Sequence, residues 1–276
     1  LLSSKEELID LAKLLYRINK HSLRLPSHHA ETEAVVHKNM RMGIGVTGYL
    51  QATEEQKGWL SETYLELRKY DKIYSEVKGW PVSIKLTTVK PSGTLSLLPG
   101  VTPGIHPAYA HYMIRRIRVA SNSPLVELCR SHGYTVEPQR KFDGSVDHST
   151  MVVEFPFSYP NNAVTAAEMT AIKQLDVVAR LQREWSDNAV SCTVYYKKEE
   201  LPEIQAYLAE HWNDNFKSLS FLLHSDHGFD QAPFEEITKK MYDEMISKST
   251  LITGMDQEEV VFDSDDECAT GICPIK

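Results

Sequence analysis

Lys90-Pro91-Ser92-Gly93-Thr94-Leu95-Ser96-Leu97-Leu98-Pro99-Gly100-Val101-Thr102-Pro103-Gly104-Ile105-His106-Pro107-Ala108-Tyr109 directly follows Ser83 to Thr88, a short run of strand character. A strand that ends in Pro91-Ser92-Gly93-Thr94-Leu95-Ser96 hands the chain to a tight turn or helix start. Free amides and the local dipole at such a junction favour an anion. Gly93 allows close backbone approach, and Ser92, Thr94 and Ser96 add hydroxyl donors. A capped turn with no ligand uses the same residues, so an anion cradle and a plain turn both fit. Downstream, Gly100 to Pro107 packs three turn-forming pairs into eight positions. His106 is the histidine of this stretch to test for ligand contact.

Working outward, strands alternate with helices. Ser3 and Ser4 with Glu6 and Glu7 have capping-box spacing ahead of Leu8, Leu11, Ala12, Leu15 and Ile18, an apolar stripe at helical period. Further helices are expected over Glu31 to Asn39 and after the Thr53/Gln56 cap. Another covers Pro124 to His132 and stops at Gly133. The longest is expected around Met169, Ile172, Leu175, Val178, Leu181 and Trp185. Two more fall over Glu199 to Trp212 and along Phe234, Ile237, Met241 and Met245. Strands are expected at Tyr112 to Val119, Met151 to Phe157, Ala189 to Tyr196 and Phe216 to His224. Helices of crossover length between strands imply parallel pairing with helices outside, an α/β class. Four or five strands are too few to close a barrel.

Gly43-Ile44-Gly45-Val46-Thr47-Gly48 fits G-x-G-x-x-G, but a polar helical stretch precedes it where a dinucleotide fold needs a buried strand. A closely packed turn is the better reading. Arg115, Arg116 and Arg118 lie on a strand, with Arg116 and Arg118 on one face. Solvated charges are expected for part of the set, and one of the three could neutralise a phosphate. Tyr195 and Tyr196 point to opposite faces of their strand, as core and rim. His28 and His29 read as solvent-facing.

With 276 residues, 42% hydrophobic and 25% charged, the chain can bury a sizeable core. No run reaches membrane-spanning length and no basic-plus-apolar leader opens it, which points to a cytoplasmic protein away from membranes. A net charge of -8 argues against a broad nucleic-acid surface. The chain opens at Leu1 and goes straight into a helix, so a part of something longer is expected.

Cys129 and Cys192 sit within a helix and a strand, where buried inert thiols are the default. Cys268 and Cys273 differ. They end an acidic stretch from Met255 to Glu267, expected to be a mobile tail, and are separated by small or flexible residues that let the sulfurs meet. A redox dithiol, chance cysteines, or a zinc site completed by His224 and His227 all fit this spacing.

Arg41 to Gly48, Lys90 to Ser96, Gly100 to Pro107, Trp185-Ser186-Asp187-Asn188-Ala189-Val190-Ser191 and the cysteine-bearing terminus together resemble the C-terminal part of adenosylcobalamin-dependent (class II) ribonucleoside-triphosphate reductases. The resemblance runs along essentially the whole chain. It implies the second half of a ten-stranded α/β barrel over residues 1–254, with a flexible acidic tail at 255–276. It further implies that Ser92, Gly93, Thr94, Leu95 and Ser96 hold the phosphates of a ribonucleoside triphosphate. Cys268 and Cys273 would then be the dithiol that re-reduces the active-site disulfide and is itself reduced by thioredoxin. The tyrosine pair that relays the radical in class I enzymes would fall at Phe221-Leu222 and is missing, which suits a radical generated with adenosylcobalamin. The family's Asn-x-Cys-x-Glu radical motif does not occur in the sequence. The chain is therefore expected to need the missing N-terminal part of the reductase. A phosphate-binding α/β module without redox activity and a partner-binding protein with a docking tail remain the competing readings.

Overall fold

The computed structural model describes residues 2–141, 143–223 and 230–253. In chain order its elements are α1 (Lys5–Ser22), α2 (Ala30–Asn39), α3 (Glu54–Lys78), β1 (Tyr112–Ala120), α4 (Pro124–Ser131), β2 (Thr135–Arg140) and β3 (Val146–Ser158). They continue as α5 (Ala171–Glu184), β4 (Thr193–Tyr196), α6 (Leu201–Asn215), β5 (Ser220–Leu223), β6 (Phe234–Glu236) and α7 (Lys239–Lys248). The described residues divide into two compact units, one of residues 2–108 and 161–223, the other of 109–141, 143–160 and 230–253.

The first unit has the expected α/β plan. Residues 42–44 run beside 85–88, with the Ile44 amide donating to the Leu86 carbonyl at 2.9 Å and the Thr88 amide to the Ile44 carbonyl at 3.0 Å. Ile44 and Thr87 form a parallel bridge, as do Val89 and Val190. Residues 188–191 lead into β4, which pairs in parallel with β5. Each parallel neighbour is reached through a helix, as a crossover requires. Both predicted caps form: the Ser4 side chain accepts from the Glu7 amide, and Thr53 and Gln56 complete a capping box. The core gathers around Trp185, Leu175, Leu181, Leu86, Ile105 and Tyr16, all at most 2% exposed. Burying each such side chain stabilises by roughly 1.5–3 kcal/mol.

Two helices differ from expectation. At 25 residues α3 is the longest, against 14 for α5. The inward face of α1 is Ala12, Tyr16 and Lys20, while Leu11, Leu15 and Ile18 of the expected stripe are exposed. Lys20 is wholly buried because its ammonium is saturated. It meets Asp71 Oδ1 at 3.0 Å, the Pro81 carbonyl at 2.7 Å and Ser83 Oγ at 2.9 Å. Asp71 Oδ1 also accepts from the Tyr16 hydroxyl (2.7 Å) and Ser75 Oγ (3.1 Å), and Oδ2 accepts from the Ser83 amide (2.9 Å). A buried charge persists only when partnered this fully.

The second unit is antiparallel, not parallel. Its sheet order is β2-β3-β1-β6, with Tyr112 opposite Ser158 and Ala120 opposite Thr150. β1 and β2 run in the same direction, with α4 between them, and the hairpin that follows β2 reverses the chain so that β3 enters the sheet between them, antiparallel to both. Phe234 lies in β6, not on the last helix, which starts at Lys239. Arg116 is 8% exposed and paired with Glu154 (2.7 Å), its cross-strand partner, and with Glu235 (2.6 Å). Arg118 donates to the Gln231 carbonyl, and Arg115 lies 4.4 Å from the Phe234 ring centroid. These arginines serve the sheet, and Arg116 is consumed by its two carboxylates. Among the described residues no helix is long and apolar enough to cross a membrane.

Candidate functional site

In parallel α/β architectures ligands gather beyond the carboxyl ends of the strands. The loop of residues 90–108 occupies that position, directly after the run 85–89. Its base is fastened tightly. Thr47, inside the Gly-rich turn, donates its hydroxyl to the Thr102 carbonyl (3.2 Å) and accepts from the Gly104 amide (2.9 Å). The Gly48 amide donates to the Thr102 carbonyl (2.8 Å), the Tyr49 amide to the Gly104 carbonyl (3.2 Å) and the Thr102 amide to Gln51 Oε1 (2.8 Å). Gly104 has φ +57°, and a Cβ there would stand 2.3 Å from the Lys90 carbonyl oxygen, so glycine alone lets the loop close on its own start.

The Gly43 to Gly48 motif is the packed turn its context suggested. A Cβ on Gly43 would lie 2.9 Å from Thr88 Cγ2, and one on Gly48 would lie 3.0 Å from Val101. A cavity of about 220 Å³ opens beside this turn, bounded by Val46, Thr47, Gly48, Tyr49, Pro99 and Val101 among others.

His106 is a fastening residue. The Thr193 amide donates to its Nε2 at 3.0 Å, so the ring proton sits on Nδ1, which donates to the Pro103 carbonyl at 3.2 Å. Burial pushes its pKa below the ordinary value, and both nitrogens are engaged. It is not available as a ligand contact.

The apex is built differently. Ser92 adopts φ +54°, a left-handed conformation uncommon outside glycine, and its Oγ lies 3.5 Å from the Lys90 carbonyl. Strain of this kind costs about 1–3 kcal/mol and concentrates at functional loops. The Ser96 amide donates to the Ser92 carbonyl at 3.0 Å, closing a turn that carries Gly93 and Thr94. Among the described residues no acceptor takes the main-chain amides of Gly93 and Thr94. A Cβ added to Gly93 would meet open space, Thr94 is exposed and Leu95 is 65% exposed. Ser96 is enclosed, with its hydroxyl unpartnered. The structure thus brings Ser92 to Leu95 to one open surface and keeps the Ser96 side chain beneath it.

Cys268 and Cys273 lie outside the described residues, as do His224 and His227. Cys129 and Cys192 are buried free thiols, the first pushed up by burial and the second to about 12 by burial, against a weaker opposing contact from Gln174. They are inert, as their positions implied. Among the described residues no cluster of three or more His, Cys, Asp or Glu side chains could hold a metal ion.

At the amino ends of the parallel runs, Trp185 to Val190 forms a latch. Asp187 Oδ2 accepts from Arg68 (2.7 Å) and the Leu86 amide (2.8 Å), and Oδ1 accepts from the Tyr64 hydroxyl (2.7 Å). Lys85 and Lys217 both donate to the Asp187 carbonyl at 2.7 Å. Asn188 Nδ2 bridges the Thr87 and Met42 carbonyls at 2.7 and 3.0 Å, tying three neighbouring runs together. Burial pushes the Asp187 carboxyl up, but the Leu86 amide, Tyr64 and Arg68 outweigh it and hold the group below the usual aspartate range. Neither this latch nor Thr47 stands out in the sequence by periodicity. The signal available is polar side chains set between glycines or just ahead of an apolar run.

The family description "Ribonucleotide reductase, barrel domain" matches residues 11–222. An adenosylcobalamin-dependent ribonucleoside-triphosphate reductase of Euglena gracilis is 39% identical over 81% of the chain and 31% of that relative. Its counterpart in Lactobacillus helveticus is 32% identical over 97% of the chain and 41% of that relative. A crystal structure of a B-12 dependent (class II) ribonucleotide reductase superposes with a TM-score of 0.77 at 28% identity, covering 89% of the chain and 38% of that structure. The chain spans 31 to 41% of the length of these relatives, as a partial barrel would. On the matched span, which takes in the parallel runs, the latch and the loop, the chain belongs to the ribonucleotide reductase barrel-domain family.

Proposed function

We propose that the chain supplies part of the barrel of an adenosylcobalamin-dependent ribonucleotide reductase that converts ribonucleoside triphosphates to 2′-deoxyribonucleoside triphosphates. In it, Ser92, Gly93, Thr94, Leu95 and Ser96 form the loop that holds the substrate phosphates. The observation that carries this reading is the pair of unclaimed amides, Gly93 and Thr94, on an open apex beyond the carboxyl end of a parallel run. Amides of this kind, with an adjacent hydroxyl, suit phosphate oxygens. Ser96 acts from beneath, its amide closing the turn that sets Gly93 and Thr94 outward.

Adenosylcobalamin supplies the radical chemistry in this reading, and no residue of the chain is assigned to it. The Asn-x-Cys-x-Glu motif is missing from the sequence, and Cys129 and Cys192 are buried. The chain therefore does not reduce nucleotides by itself and works with the rest of the reductase. Cys268 and Cys273 act as its dithiol, passing two electrons and two protons to the active-site disulfide and becoming a disulfide that thioredoxin reduces. The close spacing of these cysteines on an acidic stretch and the identity of the relatives support this part.

The test is a titration of the backbone amide resonances with ATP and, separately, with adenosine. ATP is expected to move Gly93, Thr94 and Leu95, while adenosine leaves them in place. Equal responses to both, or none at the apex, would remove the phosphate assignment. The dithiol is tested apart from it: thioredoxin, its reductase and NADPH should reduce an oxidised Cys268–Cys273 pair, and failure to do so sinks the shuttle.

A further inference from the structure

Two turns follow the carboxyl ends of neighbouring parallel runs, the Gly-rich turn after residues 42–44 and the loop of residues 90–108 after 85–89, and the first grips the return of the second. The apex is tied to that return by a short relay. The Ser96 amide donates to the Ser92 carbonyl and the Leu97 amide to the Thr94 carbonyl (3.1 Å), winding the 3₁₀ turn of Leu95–Leu97. At its far end the Val101 amide donates to the Ser96 carbonyl (3.0 Å) and the Gly100 amide to the Leu97 carbonyl (3.2 Å), the paired closure of a Schellman turn. Val101 packs on Gly48 and Thr102 is the next residue, so no free stretch of chain separates the apex from the residues that Thr47 holds. Main-chain bonds from Gly48 and Tyr49 already fix residues 102–104 to the Gly-rich turn. Thr47 adds a side-chain tie, its one hydroxyl donating to the Thr102 carbonyl while accepting from the buried Gly104 amide.

We propose that Thr47 is a positioning residue for the phosphate loop: its hydroxyl sets residues 102–104 and, through the Val101–Ser96 and Ser96–Ser92 bonds, the outward aim of the Gly93 and Thr94 amides. This role rests on the reading of residues 92–96 as the loop that holds phosphate. Ser92 is held at φ +54°, a conformation that persists only where the surrounding structure imposes it. Its own side chain contributes little, with Oγ 3.5 Å from the Lys90 carbonyl, at the limit of a hydrogen bond. The relay from Thr47 supplies the constraint instead. Loosening residues 102–104 lets the apex populate conformers in which the two amides diverge, and the apparent affinity for phosphate falls with the fraction still competent to bind. Thr47 touches no phosphate in this scheme. It acts only through the main chain of the loop.

The experiment follows ATP binding to the full chain through its backbone amide resonances. Thr47→Val keeps the shape and removes donor and acceptor together, while the Gly48 and Tyr49 bonds keep the loop attached. In the free protein it should move the Gly93 and Thr94 resonances as well as those of residues 102–104, and ATP affinity should fall about five- to tenfold. Thr47→Ser keeps the hydroxyl and should bind ATP as the wild type does. Gln51→Met takes the acceptor from the Thr102 amide and should weaken ATP in the same direction with Thr47 intact. Ser4→Ala removes the cap of α1 and should lower the melting temperature without altering ATP affinity. An apex that ignores ATP in the wild type removes the phosphate reading and the positioning role together. An apex that responds to ATP equally in the wild type and in Thr47→Val overturns the positioning role alone. A Thr47→Ser variant as weak as the valine one shows that the hydroxyl is not the agent, and a Ser4→Ala variant that weakens ATP as much shows a loss of general stability; either overturns it too.

Discussion

At the amino ends of the parallel runs Asp71 and Asp187 have their oxygens filled by side chains and amides from several elements. At the carboxyl end of the run 85–89, Gly93 and Thr94 present amides that no described residue accepts, on a turn held by a serine at φ +54°. Saturated polar groups make one end a clamp. Unsaturated ones leave the other with binding capacity that folding does not use. Polar groups placed for stability are those whose loss unfolds the protein; groups placed for a ligand can be removed with little structural effect.

The largest effect tests the clamp. Asp71→Ala leaves the Lys20 ammonium fully buried with only Pro81 and Ser83 as partners. Removing one member of such a pair costs about 3–5 kcal/mol. Urea denaturation should show a loss of this size, and one under about 1 kcal/mol would mean the pair is not buried as described.

Next comes the base of the loop, which belongs with the clamp although it adjoins the apex. Gly104→Ala drives a Cβ into the Lys90 carbonyl at a positive φ. A cost of about 2–3 kcal/mol is expected. By contrast, Gly93→Ala meets open space and should change the melting temperature little. If the two glycine variants melt alike, the division between base and apex fails.

Asp187 allows the clamp to be read by pH. Its folded-state pKa is depressed, so the unfolded chain binds its proton more readily, and its stabilisation is complete above the unfolded value of about 3.9. That contribution is lost as pH falls from there through the folded value. Asp187→Asn keeps the shape but weakens the Arg68 contact, at about 1–3 kcal/mol near neutrality. Relative to the wild type, its stability should fall less between about pH 4 and pH 2. Parallel acid profiles would show that the carboxylate is not part of the clamp.

The sequence revealed the architecture better than the clamp. Helix caps at Ser4 and Thr53 depend on residues three apart and were legible, as was the alternation that implies parallel runs. Lys20 was not, because its partner lies 51 residues away and nothing local marks a lysine as buried. The α1 stripe misled for a related reason: the helix has two apolar faces, and periodicity does not say which one meets the core. The antiparallel pairing of β1 with β3 follows from β2 and its hairpin, and β2 was not legible because Thr135–Arg140 carries Glu137, Pro138, Gln139 and Arg140 and has no buried apolar face. In the loop, turn chemistry marked the stretch as irregular, yet His106 drew attention that its two structural hydrogen bonds do not reward.

The smallest structural effect falls at the apex, and it is the sharpest test of the contrast. Thr94→Ala removes an exposed hydroxyl that caps no helix, so stability should move by less than about 0.5 kcal/mol. Its amide stays in place, so ATP binding should weaken without vanishing, by a factor of about three to ten if one hydroxyl–phosphate hydrogen bond is lost. Thr94→Pro takes away the amide as well, at a position whose φ of -102° the ring tolerates only with adjustment. It should weaken ATP further than the alanine variant does. If alanine and proline weaken binding equally, the hydroxyl alone recognises the ligand. If neither weakens it, the unclaimed amides at the carboxyl end are not where phosphate binds.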